Sequence, residues 1–100
     1  MIILTTTLFP PESAKETGKR FMEAAALPDY ITRRGPYILP AKAEGIQGMT
    51  IYEVDRPSKI AEAIEWSAND VTKYFGIPGF TYSIQVCLDV EEALKTVGLG

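Results

Sequence analysis

The segment from Asp55 to Leu88, DRPSKIAEAIEWSANDVTKYFGIPGFTYSIQVCL, contains the two patterns that decide the fold. Its first part has apolar or small residues at helical spacing. We expect this helix to begin with Asp55 or Ser58 as its cap and to end at Gly76, a residue type that often follows a last helical turn. The predicted apolar stripe consists of Ile60, Ile64, Ser67/Ala68, Val71 and Phe75.

The second part of the segment alternates strictly and predicts a β-strand with one buried face. Phe80, Tyr82, Ile84, Val86 and Leu88 share one face, and Thr81, Ser83, Gln85 and Cys87 share the other. We expect this strand to lie in the centre of a sheet. The following residues, Asp89 to Lys95, predict a short terminal helix that Asp89 caps.

Toward the N-terminus, a strand and a helix are expected. Ile2 to Leu8 is rich in Ile, Leu and Thr and is followed by two prolines, which favours a strand that stops there. A helix follows and is expected to end near Leu27, before a proline. Its predicted buried face carries Ala14, Gly18, Phe21 and Ala25.

Residues 28–40 contain three prolines, two tyrosines and two arginines, and we predict a long connection there. Alternation returns at residues 41–44, and residues 49–54 are rich in β-branched and aromatic side chains. We therefore predict a hairpin of these two strands, with its turn at Gly45–Gly48.

The predicted order is strand, helix, strand, strand, helix, strand and a small terminal helix, which is an α+β arrangement. It matches the ferredoxin-like βαββαβ plan in one domain, residues 1–100, with both long helices on one sheet face. A chain of this length buries only about 60–65% of its unfolded surface. Because the other sheet face would be uncovered, we expect a homodimer that pairs through it.

Composition excludes several classes of function. The net charge is −3 and no basic stripe is visible, which argues against nucleic acid as a partner. There is no histidine, which excludes the usual metal sites and histidine-activated nucleophiles. Cys87 is the single cysteine, so no disulfide can form within the chain and a reducing compartment is favoured. We expect no metal and no cofactor. The apolar N-terminal stretch lacks a basic region and is shorter than the about 20 residues of a membrane helix, so we expect a cytoplasmic protein.

A family resemblance rests on three short stretches. Gly45–Asp55 (GIQGMTIYEVD), Trp66-Ser67 and Asp89–Ala93 (DVEEA) resemble a family of small uncharacterised bacterial and archaeal domains. That family looks like part of the dimeric α/β-barrel superfamily, which also contains cofactor-free monooxygenases, small isomerases and stress-response proteins. The resemblance implies a dimeric barrel and leaves the activity open.

Four groups of residues are candidates for a ligand site. The hydroxyls of Tyr52 and Tyr82 could orient a phenolic or quinone-like compound. Alternatively, each tyrosine buries its ring and keeps its hydroxyl in contact with solvent. Trp66 could line the pocket or serve packing. The remaining candidates are charged. Glu53 and Asp55 could act as a base or bind a cation; alternatively, Glu53 is a solvated strand residue and Asp55 is a helix cap. Arg33 and Arg34 could bind an anionic group of a ligand or simply be solvated.

Two functions remain open at this stage. One is a dimeric barrel that binds a small apolar or aromatic molecule, either without changing it or as a cofactor-free oxygenase or isomerase. The other is a non-catalytic sensor, regulatory or assembly module that acts through dimerisation. Cys87 lacks an activating base in this sequence, and we expect a structural thiol.

Overall fold

The computed structural model describes residues 1–23, 26–42 and 45–100. The elements are β1 (Ile2–Phe9), α1 (Ala14–Met22), β2 (Ile31–Lys42), β3 (Gly45–Val54), α2 (Ile60–Val71), β4 (Thr81–Cys87) and α3 (Val90–Thr96). Short 3₁₀ turns precede α1 at Pro11–Ser13, precede α2 at Pro57–Lys59 and follow α2 at Thr72–Tyr74.

The four strands form one antiparallel sheet in the order β2-β3-β1-β4. The predicted α+β class is therefore confirmed, with strands β1 and β3 in the centre. The prediction of a central last strand is wrong, because β4 pairs only with β1 and lies at an edge. The buried face predicted for this strand is not observed either, because Tyr82, Val86 and Leu88 are 45%, 47% and 48% exposed.

The prediction of a long connection over residues 28–40 is also wrong, because β2 occupies Ile31–Lys42 and pairs with β3. The pairing is interrupted between Arg34 and Tyr37, where Gly35 adopts a φ of +94°. Prolines are tolerated in edge strands and at such irregularities because no ladder N–H is needed there. β2 is an edge strand, and this explains how a proline-containing segment can join the sheet.

The predicted turn at Gly45–Gly48 lies inside β3 instead, and the predicted strand at 41–44 falls partly outside the described residues. Both glycines allow close contacts with β1. A Cβ atom on Gly45, whose φ is +120°, would lie 2.6 Å from the Phe9 carbonyl oxygen. One on Gly48 would lie 2.7 Å from Thr7 Oγ1. Both positions therefore favour glycine.

Helices α1 and α2 lie on the same sheet face. The core beneath them contains Ile3, Ile31, Tyr52 and Val54 of the sheet and Ala63 of α2. Helix α1 ends at Met22 rather than near Leu27, and its buried residue is Thr17. The predicted face position Ala25 lies outside the described residues, and Gly18 is exposed.

The stripe predicted for α2 is partly wrong. Val71 is buried as expected, but Ile64 is 38% exposed and Phe75 is 57% exposed. The buried side chains of α2 are Ala63, Ser67 and Val71. Small residues meet the sheet because the helix lies close to it, and the larger apolar residues point partly to solvent.

Besides the end of α1, three helix boundaries were predicted. Helix α2 ends at Val71 rather than at Gly76, which has a φ of +90° and lies beyond the 3₁₀ turn Thr72–Tyr74. Asp89 caps α3, and its side chain and that of Glu92 form a reciprocal capping box. The predicted Asp55 or Ser58 cap of α2 is wrong, since a 3₁₀ turn leads into this helix without a side-chain hydrogen bond to its start.

The chain is more extended than a compact domain of its size. Its radius of gyration is 15.0 Å, against about 13 Å for 100 residues. Its accessible surface is 6405 Å², whereas about 5600 Å² is typical for this mass. On the sheet face opposite α1 and α2, the central strands present a set of half-buried aliphatic side chains: Ile2, Leu4, Leu8, Met49 and Ile51. None of the described helices is long and apolar enough to cross a membrane.

Candidate functional site

A cavity of about 380 Å³ lies between the sheet and the two long helices. The sheet provides its floor, with Thr5, Thr7, Phe9, Ile46, Thr50 and Tyr52. The roof comes from Ala14, Gly18 and Phe21 of α1, from Ser67, Asp70 and Val71 of α2, and from Tyr74 in the turn that follows. The lining is mainly apolar, and the volume falls within the range of about 300–1,000 Å³ that small-molecule sites occupy.

The cavity exists because the chain places short side chains where long ones would fill the space. Helix α1 contributes Ala14 and Gly18, and α2 contributes Ser67. A Cβ atom built on Gly18 would meet no other atom within 4 Å. Gly18 and Ile38 of the lining are exposed, so the space opens to solvent on that side.

Two hydroxyl groups of the lining are buried without a partner. Thr5 Oγ1 on the floor and Ser67 Oγ on the roof make no hydrogen bond within the part of the chain that the structure describes. By contrast, the nearby Thr17 hydroxyl donates to the Ser13 carbonyl oxygen at 2.8 Å. An unsatisfied buried hydroxyl costs about 1–3 kcal/mol of folding free energy. Both oxygens have almost no accessible surface, so a molecule in the cavity reaches neither of them in this conformation.

An ion pair forms part of the roof. Lys73 Nζ lies 2.9 Å from Asp70 Oδ1 and donates to both carboxylate oxygens. The two side chains are only 18% and 12% exposed. The ammonium group also lies 5.7 Å from the centre of the Phe21 ring and 5.1 Å from that of Tyr74. The charge of Lys73 is thus balanced within the roof.

Two tyrosines keep their protons in this environment. Burial, with the Asp70 carboxylate as the second cause, raises the pKa of Tyr52 to about 12. The pKa of Tyr74 rises to about 12 for the same two reasons, in the same order. At neutral pH both phenols are therefore uncharged groups that can donate a hydrogen bond.

The structure brings Tyr52 and Trp66 together but separates them from Tyr82. Trp66 packs edge-on against Tyr52, with ring centres 5.5 Å apart, but it is not part of the cavity lining. Tyr82 instead stacks on Phe75 and is 45% exposed. Tyr52 pairs with Ile3, while Tyr82 pairs with a residue four positions further along β1, so the two tyrosines lie roughly 13 Å apart along the strand.

The two predicted arginines point to opposite faces of β2. Arg33 faces the helices, where its guanidinium carbon lies 5.3 Å from the Phe21 ring centre. Arg34 faces away and forms an exposed ion pair with Glu53. They cannot bind one anionic group together.

The other polar candidates lie away from the cavity. Asp55 is exposed and lies 3.9 Å from Arg56, while its neighbour Glu53 is already paired. The described residues contain no group of three acidic or cysteine side chains that could hold a metal ion. Cys87 is half-buried in β4, opposite Ile2.

Several cavity residues were not predicted as site residues. Ser67 had one visible signal, since it is a polar residue on an apolar helical stripe. Asp70 and Lys73 look like an ordinary solvated pair three residues apart, and only their burial distinguishes them. Thr5 belongs to a run of threonines that is typical of any strand. Only the position of the helices shows that its side chain lies on the sheet face that they cover.

Neither the family models, nor the curated proteins, nor the solved structures gave a match to this chain. Membership of the dimeric α/β-barrel superfamily therefore stays a prediction. Any function has to be argued from the cavity itself.

Proposed function

We propose that this protein binds a small, mainly apolar molecule in the cavity between the sheet and helices α1 and α2. The observation that carries the proposal is the cavity of about 380 Å³, whose mainly apolar lining includes a few polar side chains, among them Tyr52 and Tyr74. A space with few polar groups in an apolar wall is typical of small-molecule sites, where the wall gives affinity and the polar groups give orientation.

Binding is favoured over acid–base catalysis by the state of the polar groups. Efficient proton transfer near neutral pH needs a group whose pKa lies near 7. The two phenols titrate far above this value, with pKa values of about 12. Asp70 is held in an ion pair with Lys73. We therefore propose a binding protein whose ligand leaves unchanged.

The proposal includes a ferredoxin-like domain that pairs with a second copy through the open sheet face. The order of elements and the strand order β2-β3-β1-β4 support the ferredoxin-like plan. The surface exceeds that of a typical monomer of this mass by roughly 800 Å², close to what each partner buries in a standard interface. The aliphatic side chains of the open face, among them Leu4 and Ile51, supply the apolar contact.

The binding proposal is tested by filling the cavity from Gly18. Nile red, a neutral dye that fluoresces in apolar surroundings, serves as the probe, and Trp66 provides an intrinsic signal because it packs on Tyr52. Gly18→Leu should fill part of the cavity and weaken dye binding by about tenfold or more. Gly18→Ala is the matched control: it makes the same gain in helix propensity, leaves most of the space open, and should bind like the wild type.

Equal binding by the leucine and alanine variants would place the dye elsewhere and would contradict the proposal. Circular dichroism establishes that both variants are folded. If the wild type binds neither Nile red nor a broad set of apolar and aromatic compounds, the alternative of a non-catalytic module that acts through dimerisation is favoured.

A further inference from the structure

We infer that a molecule enters the cavity between helix α1 and strand β2, past Gly18 and Ile38, and that the side chain of Ile38 controls the rate of its passage. Gly18 and Ile38 together form the entrance. The inference rests on the proposed function, since it describes how a molecule reaches the same cavity. It gives Ile38 a role in the kinetics of binding that is separate from contact with the bound molecule.

Exposure locates the entrance. Of the lining residues that the structure describes, only Gly18 and Ile38 are exposed, and the exposed fraction of Ile38 is 54%. A Cβ atom on Gly18 would meet no atom of another segment within 4 Å, so nothing fills the space beside this position. Gly18 belongs to α1 and Ile38 to β2. The cavity therefore meets solvent between these two elements.

The side chain of Ile38 lies on the cavity side of β2. Ile38 pairs with Gly48, and Gly48 pairs with Thr7 of the cavity floor. Residues that pair across antiparallel strands share one face of the sheet. A Cβ atom on Gly48 would lie 3.6 Å from Cδ1 of Ile38. Because Gly48 has no side chain, the end of the Ile38 side chain can lie over β3, at the border of the opening.

On its other side, helix α1 is joined to the segment that follows α2. Arg20 Nη1 donates to the carbonyl oxygens of Lys73, at 2.8 Å, and of Phe75, at 3.3 Å. Ser13 Oγ, at the start of the same helix, donates to the Pro78 carbonyl oxygen at 2.7 Å. These hydrogen bonds hold α1 at two points that are two turns apart, so the cavity is closed on this side.

The side of α1 that faces β2 is held less firmly. Among the described residues, no hydrogen bond joins α1 to β2. Arg33 of β2 does pack on Phe21, 5.3 Å from the centre of the ring, but Phe21 lies about one helical turn beyond Gly18. The two elements therefore meet at one end of α1 and leave the position of Gly18 open.

The part of β2 that carries Ile38 is weakly paired. Its pairing with β3 is continuous only over residues 37–39, because the register shifts before Tyr37 and after Leu39. β2 is also an edge strand and has no second neighbour in the sheet. Segments with few contacts and exposed backbone hydrogen bonds open at a low cost in free energy. Local opening of this segment can therefore admit a molecule past Ile38.

The inference is tested by stopped-flow measurement of Nile red association and dissociation, detected by the fluorescence of the dye. Ile38→Ala should raise the association rate constant about threefold or more, and Ile38→Trp should lower it by a similar factor. Loss of an apolar contact alone would raise the dissociation rate constant and leave association unchanged. Faster association is therefore the result that identifies an entrance residue.

Tyr37→Ala is the matched control for Ile38→Ala. Tyr37 adjoins Ile38 and is as exposed, at 55% against 54%, but it pairs with Met49 and lies on the other face of the sheet. Both Nile red rate constants of Tyr37→Ala should equal those of the wild type. Circular dichroism establishes which variants are folded. Because the two Ile38 substitutions change the width of the entrance in opposite directions, either of them tests the inference alone.

The outcomes separate this inference from the proposed function. If Gly18→Leu weakens Nile red binding at equilibrium but neither Ile38 variant changes the association rate constant, the cavity is a binding site and the inference is wrong. Faster association in Arg20→Met, without a change in Ile38→Ala, would place the entrance beside α2 and overturn the inference. If the wild type binds neither Nile red nor the other apolar and aromatic compounds, the proposed function and the inference fail together.

Discussion

Alkaline pH should destabilise this protein through the two buried tyrosines of the cavity. In the folded chain the pKa values of Tyr52 and Tyr74 are raised from 10.0 to about 12, first by burial and then by Asp70. In the unfolded chain both phenols return to the ordinary value. Between pH 10 and 12 the unfolded state therefore loses its phenolic protons while the folded state keeps them, and unfolding becomes more favourable.

The size of the effect follows from the shift. Each unit of pKa difference corresponds to about 1.4 kcal/mol, so the well-buried phenol of Tyr52 costs the folded state up to about 2.7 kcal/mol as the pH rises to 12. The phenol of Tyr74 is less buried, and solvent screening makes its contribution smaller. The loss at Tyr52 alone is a large part of the stability of a small domain, which is about 5–15 kcal/mol. Below pH 10 this contribution to stability is fully present, and it is lost as the pH rises through the two folded-state values.

The assay is urea unfolding followed by circular dichroism at pH values from 9 to 12, in the presence of a reducing agent because of Cys87. Tyr52→Phe should remove the larger part of the pH dependence that the wild type shows, and Tyr74→Phe a smaller part. Tyr37→Phe is the control, since this side chain is 55% exposed, and it should behave as the wild type does. A flat wild-type profile, or equal slopes in all variants, would refute the reasoning.

Two further predictions concern the core and the open sheet face. Ile3 is fully buried. In urea unfolding, Ile3→Ala should lower the free energy of unfolding by about 2–5 kcal/mol, and Ile3→Val by about 0.5–1.5 kcal/mol. Equal losses in the two variants would contradict the close packing around Ile3. If the open face joins two copies, Leu4→Glu should convert a dimer into a monomer in size-exclusion chromatography with light scattering, whereas Ala61→Glu, at an exposed position of α2, should leave the dimer intact. A wild-type monomer would contradict the dimer proposal.

Local patterns predicted most of the elements correctly. The periodicity of residues 60–71 and the alternation of residues 81–87 identified a helix and a strand, because both depend on the spacing of side chains along one segment. Asp89 was identified as a helix cap for the same reason, since its partner is only three residues away. The α+β class follows from these local features alone.

Predictions that depended on position in the sheet were less successful. Residues 28–40 contain three prolines, and only the edge position of β2 explains why most of this segment is a strand. The direction of the α2 stripe was misjudged because Ile64 and Ala63 are adjacent, and the approach of the helix to the sheet decides which of them is buried.

The sequence by itself determined the helix at residues 60–71, the strand at residues 81–87 and the Asp89 cap, because these follow from short-range spacing. Only the tertiary structure decided where the cavity lies. Thr5, Ser67 and Tyr74 come from three separate segments, and neither their burial nor their common cavity has a local signature. A site between a sheet and two helices exists only when strand register and helix placement have selected the residues that face each other.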